Sequence, residues 1–287
     1  MLIRDILEES EKKFSEIKAV KWLKKKEICD RSYRELMENA KSVRKGLCEE
    51  SFQGKHIALI GSSSVEWIEA YLGIITGQAV AVPLDAGLPV EDLIDLLNRS
   101  DAEALFLSPK IQTLSERILE ECPKLKKIWI LQEENIETNQ KKVASVAELM
   151  TSGINGTIIF TSGTTGKSKG VMLTQRNLAE NVKSVNYTAE PGTIVLSVLP
   201  IHHAFCLVMD WLKGFSFGAT VCINDSLLHM VKNMGVFHPD IMLMVPLMVE
   251  TIYKRLSAMN PLIPKKIVAA KAFGGKLKTI FTGGAHL

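Results

Sequence analysis

The sequence predicts an α/β protein built from two βαβ lobes, each with a mainly parallel sheet. The first observation is that short continuous apolar runs alternate with amphipathic segments of about a dozen residues, which is typical of βαβ units. The second is the length of 287 residues, which suits about two domains or one large domain with lobes. The third is the composition, 46% hydrophobic and 23% charged, which provides for a buried core.

The elements of the first half come in close succession. The first fifty residues are rich in charge and predict helix, with Leu36, Ala40, Val43 and Leu47 on one stripe. Strands are then predicted at 56–61, 79–84, 104–108 and 127–132, and helices at 64–77, 90–100 and 111–121.

A polar stretch at 132–142 predicts a boundary, so we assign residues 1–150 to a first lobe and 151–287 to a second. The second lobe opens with the strand TIIF, and after a polar loop a helix is expected. The alternation resumes with the strand patterns TIVLSVLP, ATVCI, IMLMVP and LKTIFTGG, and with helices through Trp211, near 225–234 and at 247–257. The methionines of IMLMVPLMV predict core packing, although methionine could also line an acyl tunnel.

Net charge, apolar run length and cysteine spacing argue against several classes of protein. The net charge of +3 gives no electrostatic reason to expect a nucleic-acid partner. The longest apolar run, 241–249, is too short to span a bilayer and contains a proline. Five cysteines without a CxxC pair indicate reduced thiols instead of a disulfide framework or zinc site. We therefore expect a cytoplasmic protein without a transmembrane segment or a metal site of its own, and leave its oligomeric state open.

The loop after TIIF carries the strongest functional pattern. It reads Thr161-Ser162-Gly163-Thr164-Thr165-Gly166-Lys167-Ser168-Lys169-Gly170. Glycines allow close approach of backbone N–H groups, hydroxyls add donors, and lysines add positive charge, a combination that suits a polyphosphate. Thr174 is a candidate N-cap for the next helix, without a Glu or Gln three residues on.

Two other interpretations of this loop are possible. A flexible linker has similar composition, but a linker would not join a strand to a helix. A Walker A loop requires glycine five residues before Gly166, where this chain has Thr161. The loop therefore does not match that pattern.

Several motifs together resemble the acyl-adenylate-forming enzymes. These are FTSGTTGKSKGVMLTQRN, VLPIHHAF at 198–205, SSSVEWIEAYLGIITGQAVAVPLD at 62–85 and LKTIFTGGAHL at 277–287. In order and spacing they cover nearly the whole chain. The segment VPLMVETIYKRL is most similar to bacterial long-chain fatty acyl-CoA synthetases.

The resemblance implies ATP, Mg²⁺ and coenzyme A as cofactors or co-substrates, a fatty acid as substrate, and two half-reactions through an acyl-adenylate. It implies that residues Thr161 to Gly166 cradle the β- and γ-phosphates and that Lys169, with Lys167 secondary, offsets charge on pyrophosphate. His203 would donate a hydrogen bond beside the acyl carboxylate and α-phosphate. The adenine and acyl group would lie along Gly283, Gly284 and Ala285.

Some positions keep a second interpretation. Structural and functional roles both stay open for His202. Cys206 replaces a glycine that is frequent in relatives and is expected to be an apolar lining residue, not a nucleophile. His286 stands where proline is common.

The resemblance also implies a magnesium-holding glutamate, a ribose-binding aspartate and a C-terminal domain that these 287 residues do not show, so the second lobe is expected to be truncated and the chain to have negligible ligase turnover. The alternatives are an ATP- or acyl-binding module without catalysis, an adenylation enzyme that loads a carrier protein, a P-loop NTPase and a structural scaffold.

Overall fold

The computed structural model describes residues 1–132, 156–161, 168–257 and 273–283. The chain divides into two compact units: the first contains Met1–Glu9 and Arg34–Ser184, and the second contains Ser10–Tyr33 and Val185–Leu287. This division departs from the predicted boundary at residue 150, because the strands on both sides of the polar loop pair into the sheet of the first unit.

The elements are named in chain order. The strands are β1 (Lys18–Lys24), β2 (Glu27–Ser32), β3 (His56–Ile60), β4 (Val80–Leu84), β5 (Ala102–Leu107), β6 (Lys127–Ile130), β7 (Thr157–Thr161), β8 (Lys169–Leu173), β9 (Ile194–Ser197), β10 (Thr220–Ile223), β11 (Ile241–Met244) and β12 (Thr279–Thr282). The α-helices are α1 (Ile3–Phe14), α2 (Tyr33–Glu49), α3 (Val65–Thr76), α4 (Val90–Arg99), α5 (Ser115–Glu121), α6 (Gln175–Ser184), α7 (Ala204–Cys206), α8 (Lys213–Ser216), α9 (Met230–Phe237) and α10 (Pro246–Ser257). A π-helical turn, Leu207–Leu212, joins α7 to α8, and 3₁₀ turns form at Pro109–Leu114 and Leu227–His229.

The sheet of the first unit has the order β6-β5-β3-β4-β7-β8. The pairs from β6 to β7 are parallel, and only β8 runs antiparallel to its neighbour. The central strand β3 is buried from Ile57 to Ile60 because crossover helices cover a parallel sheet. The predicted alternation of strands and helices, and the mainly parallel α/β fold, are thus confirmed.

The sheet of the second unit has the order β12-β11-β9-β10-β1-β2. Its first four strands pair in parallel, β1 pairs in parallel with β10, and β2 closes an antiparallel hairpin with β1. The prediction of helix throughout the first fifty residues is therefore wrong for 18–32. The turn of this hairpin places Lys25 and Lys26 at φ of 50° and 76°. Glycine or asparagine usually occupies such left-handed positions and makes the turn recognisable in a sequence.

The methionines of β11 lie in the core, as predicted. Met242 and Met244 are fully buried in a cluster with Met234 and Phe237 of α9. In the part of the chain that the structure describes, no helix combines the length and the apolar character needed to cross a membrane.

Candidate functional site

The predicted phosphate loop is joined to a β-hairpin of the first unit. Thr161 ends β7 and Lys169 begins β8, and the two residues are register partners in the antiparallel pair. Both are exposed. Ser162, Gly163, Thr164, Thr165, Gly166 and Lys167 lie outside the described residues. The two ends of the loop are therefore joined to one hairpin neck, defined here as Phe160, Thr161, Ser168 and Lys169.

A strand that the sequence analysis did not predict separates the loop from the expected helix. Residues 169–173 form β8, and the helix begins at Gln175, directly after the candidate N-cap Thr174. The apolar pattern Val171-Met172-Leu173 is that of a short strand, and Val171 and Met172 are exposed on it. Lys169 is consequently fixed in a strand.

The start of α6 has a cap that the sequence analysis did not find complete. The backbone N–H of Asn177 donates to Thr174 Oγ1 at 3.1 Å, and the backbone N–H of Thr174 donates to Asn177 Oδ1 at 3.0 Å. Asparagine thus fills the place that Glu or Gln takes in a capping box. This cap fixes the turn between β8 and α6.

The remaining described candidates lie at one edge of the second sheet. Strands β9, β11 and β12 are adjacent and parallel, so their carboxyl ends meet at the same edge. The segment Val198–His203 leaves β9 there, and Gly283 comes directly after β12. Open parallel sheets bind ligands at this edge. Gly284 and Ala285 lie outside the described residues.

Gly283 lies against the aromatic ring two residues after His203. A Cβ on Gly283 would stand 2.8 Å from Cζ of Phe205, closer than real Cβ contacts allow. A side chain at position 283 would therefore require the Phe205 ring to shift, and this contact links the end of β12 to the segment after β9. His203 and Gly283, predicted separately, belong to one edge.

His203 precedes α7 with an extended backbone, φ −78° and ψ 134°, and its carbonyl accepts the N–H of Leu207 at 2.9 Å. Its side chain is exposed, and its ring centroid lies 4.2 Å from that of His202. An exposed imidazole at a sheet edge is free to contact a ligand.

Behind this edge lies a buried polar cluster of Ser197, Cys206 and Asp210. The Cys206 thiol has acceptors at Leu199 O, 3.2 Å, and Asp210 Oδ2, 3.7 Å, and Ser197 Oγ lies 3.3 Å from the same sulfur. A thiol has one proton, so it serves one acceptor at a time. This cluster connects the end of β9 to the π-helical turn.

Burial dominates the electrostatics of this cluster. It raises the pKa of Asp210 to about 7, with hydrogen bonds from Ser197 and Cys206 offsetting part of the effect. Burial, and next the negative charge of Asp210, raise the pKa of the Cys206 thiol well above its usual value. Such a thiol is not an activated nucleophile. The prediction that Cys206 is an apolar lining residue does not describe its environment, because its thiol belongs to this polar cluster.

Asp210 also lines a pocket within the second unit. Its empty volume is about 330 Å³, including the part open to solvent. The other lining residues are Val185, Tyr187, Val195, Met209, Lys213, Phe217, Ile241, Leu243 and Phe281. The walls are mainly aliphatic and aromatic, and Tyr187 makes edge contacts with Phe217 and Phe281. Such a surface suits the apolar part of a small molecule.

Lys213 is the second charged side chain of the pocket. It is 7% exposed, and among the described residues no side chain forms an ion pair with it. Burial lowers its pKa. The sequence analysis missed Asp210 and Lys213. The available signal was two charges inside the otherwise apolar run CLVMDWLKGF.

Comparisons with known proteins agree with the motif resemblance. The family model described as AMP-binding enzyme matches residues 7–287. A CoA ligase from Gibberella moniliformis is 32% identical over 183 residues, covering 62% of this chain and 30% of that protein. The peroxisomal long chain acyl-CoA synthetase 7 of Arabidopsis thaliana is 24% identical over 254 residues, covering 80% and 36% respectively. The chain thus spans about a third of the length of these curated relatives.

A solved structure supports the same fold. The A-PCP didomain of the carboxylic acid reductase from Segniliparus rugosus, in complex with AMP, superposes with a TM-score of 0.84 at 16% identity, covering 100% of this chain and 50% of that one. At this identity the similarity shows the fold alone.

Proposed function

Because the chain belongs to the AMP-binding enzyme family, we propose that it carries ATP- and acyl-binding parts of an AMP-forming acyl-CoA synthetase. A fatty carboxylate attacks the α-phosphorus of ATP and pyrophosphate leaves; the thiol of coenzyme A then attacks the acyl carbonyl and AMP leaves. The hairpin neck is the observation that supports ATP binding most directly. Thr161 and the exposed Lys169 pair with each other at its two strands, and the loop between them is rich in hydroxyls and glycines.

In the proposed mechanism the first unit acts on the phosphates. The backbone and hydroxyl groups from Thr161 to Gly166 donate hydrogen bonds to the β- and γ-phosphates. Lys169 offsets the charge that accumulates on the leaving pyrophosphate, with Lys167 secondary. Stabilisation of developing charge by fixed donors and cations is an effective catalytic device because it needs no rearrangement during the reaction.

The second unit acts on the acyl group in this proposal. His203 donates a hydrogen bond to the carboxylate and the α-phosphate, and the adenine and the acyl group lie alongside the segment of Gly283, Gly284 and Ala285. The pocket under the π-helical turn takes the apolar part of the acyl group. Its apolar walls support this assignment, and the helical segment that contributes Met209, Asp210 and Lys213 to it begins directly after His203.

Mg²⁺ and coenzyme A are proposed from the family. Among the described residues no group of three or more His, Cys, Asp or Glu side chains is arranged to hold a metal ion. Mg²⁺ would accompany ATP, and the acceptor thiol would be coenzyme A or, as the alternative, the thiol of a carrier protein.

The decisive experiment is ATP binding by the wild-type chain and by Lys169→Ala, measured by isothermal titration calorimetry with Mg²⁺ present. A charge-assisted contact contributes about 1.5–3 kcal/mol, so Lys169→Ala should weaken ATP binding by about tenfold or more. Lys183→Ala, an exposed lysine of α6, is the matched control and should bind ATP as the wild type does.

Incubation with ATP, fatty acid and coenzyme A, followed by mass spectrometry, identifies the reaction class. Acyl-adenylate or acyl-CoA supports the proposal. ATP hydrolysis without carboxylate would indicate an NTPase. Since negligible ligase turnover is expected of these 287 residues, binding of ATP and fatty acid without product fits both the proposal and a binding module, whereas a chain that binds neither ligand would contradict the proposal.

A further inference from the structure

Arg99, the last residue of α4, contacts both arms of the hairpin neck. Its Nη2 donates a hydrogen bond to the backbone carbonyl of Ser168, the residue immediately before Lys169. Its guanidinium carbon lies 5.6 Å from the ring centroid of Phe160, the residue immediately before Thr161. Its Nη1 donates to Asp95 Oδ2 at 3.0 Å. One side chain therefore reaches the residues next to both ends of the loop.

These contacts use properties specific to arginine. The planar guanidinium carries several donors in a fixed fork, so it can serve a carbonyl and a carboxylate at once, and its face stacks on aromatic rings. The side chain of Arg99 is 35% exposed. A cation over an aromatic face is attracted by the negative face of the ring.

The rest of the hairpin shows why its loop end needs an additional contact. At the opposite end, a Cβ on Gly156 would lie 1.9 Å from the carbonyl oxygen of Leu173, so the two strands approach each other very closely there. In the described sheet β8 pairs with β7 alone, and residues 169–172 are exposed. Arg99 supplies a contact from outside the hairpin at the end that leads into the loop.

We propose that Arg99 is a positioning residue that fixes the hairpin neck and thereby the direction in which Lys169 meets the phosphates of ATP. The inference rests on the proposed function of Lys169 and adds to it a residue that lies outside the loop motif. Arg99 itself need not contact the nucleotide. It acts through the Ser168 carbonyl and the Phe160 ring.

The competing explanation is an ordinary surface ion pair. Arg99 and Asp95 are four residues apart on α4, and exposed pairs of this kind contribute little. If this pair were the whole role of Arg99, Asp95→Ala and Arg99→Ala would have the same small effect. The positioning role predicts that only the arginine substitution changes the neck.

The first test is ATP affinity by calorimetry. Arg99→Ala should weaken ATP binding about fivefold or more, and Arg99→Lys should recover part of the loss, since lysine keeps the charge but not the fork. Asp95→Ala should stay within about twofold of the wild type. So should Arg117→Ala, which removes an exposed arginine with two ion pairs, to Glu91 and Glu121, in the same unit.

The second test needs no nucleotide: hydrogen–deuterium exchange of peptides that cover residues 168–173. Arg99→Ala should speed exchange there, with Asp95→Ala and Arg117→Ala unchanged. Unchanged exchange in Arg99→Ala would overturn the proposal that Arg99 holds the hairpin neck. Faster exchange with unchanged ATP affinity would overturn the proposal that the position of the neck affects ATP binding. If the wild type binds no ATP, the proposed function fails and the link fails with it, whereas the exchange result still decides whether Arg99 holds the neck.

Discussion

The two regions that carry the predicted site residues are built in opposite ways. In the first unit, Thr161 and Lys169 stand exposed on a hairpin, and their environment is set by backbone pairing and a helix cap. In the second unit, His203 and Gly283 stand at a sheet edge backed by a buried acid, a buried thiol and an aromatic ring. The site residues of the hairpin are thus exposed groups placed by backbone pairing, whereas those of the sheet edge are placed by buried side chains and close packing. Substitutions should accordingly disturb the second region more.

The largest expected effect concerns Asp210 and pH. Burial raises the pKa of its carboxyl from 3.8 to about 7, so between these values the unfolded chain loses a proton that the folded chain keeps. The protonated acid therefore makes its whole contribution to the free energy of unfolding below about pH 4. That contribution is lost as the pH rises through 7. The loss amounts to at most about 4 kcal/mol.

Asp210→Asn should abolish this contribution. Chemical denaturation at a series of pH values, from about 4.5 to about 8 in steps of about half a unit, measures it. The quantity to compare is the difference in the free energy of unfolding between variant and wild type at each pH. Ion-paired carboxylates such as Glu103, whose pKa is lowered by Lys126 and Lys55, stabilise the fold as pH rises in both proteins, and the difference cancels their effect. The exposed Asp92→Asn is the matched control. A wild type and an Asp210→Asn variant with parallel pH curves would refute the buried-acid account.

An intermediate effect is expected at Gly283. Gly283→Ala places a Cβ 2.8 Å from the Phe205 ring, and overpacking of this kind costs about 1–3 kcal/mol. Thermal and chemical unfolding measure the loss. Phe205→Leu should restore part of the stability of Gly283→Ala, because the two residues are in contact.

Gly235→Ala serves as the control for this prediction. A Cβ at that position in α9 meets nothing within 4 Å, and alanine favours helix over glycine. The substitution should be neutral or slightly stabilising. Equal destabilisation at positions 235 and 283 would show that volume at the sheet edge is not the controlling factor.

The smallest effect is expected at the cap of α6 in the first unit. Thr174→Ala removes the acceptor of the Asn177 N–H, and loss of such a cap costs about 1 kcal/mol. Asn181→Ala, on the exposed side of the same helix, is the control and should not destabilise. A loss at Thr174 as large as that at Gly283 would contradict the contrast between the two regions.

Much of the first sheet could be predicted from the sequence because its strands are buried on both faces. The runs at 57–60 and 80–84 are continuously apolar, and α3 between them has Ser64 as its N-cap, whose Oγ accepts the N–H of Trp67 at 3.1 Å. The helical periodicity of the apolar residues predicted α3 without the cap. The family resemblance was confirmed by the match over 7–287.

The strands that the sequence analysis missed lack a clear local signal, for two different reasons. The hairpin of β1 and β2 lacks a turn signal because lysines occupy its left-handed positions, and its place beside β10 is fixed by contacts about 200 residues away, such as Thr220 Oγ1 donating to Lys18 O. Strand β8 is short and exposed, so its pattern resembled a loop leading to a helix.

The candidate site divides in the same way. Loop hydroxyls, His203 and Gly283 were visible as motifs, and their proposed roles stay predictions. The cluster of Ser197, Cys206 and Asp210 could not be predicted, since three residues spread over fourteen positions meet only when the chain returns over β9. Arg99 was invisible for the same reason, being 69 positions from Ser168.

The π-helical turn at Leu207–Leu212 has a consequence for comparing this chain with its relatives. Adding or removing one residue in a helix rotates everything beyond it by about 100°, so a homologue with a regular α-helix here would direct a different side chain towards the sheet at the position of Asp210. A sequence alignment across this segment would then match side chains that point towards the sheet in one protein with side chains that point away from it in the other. The lining of the pocket proposed for the acyl group would then differ between homologues through segment length alone, while the phosphate-loop motif stays the same.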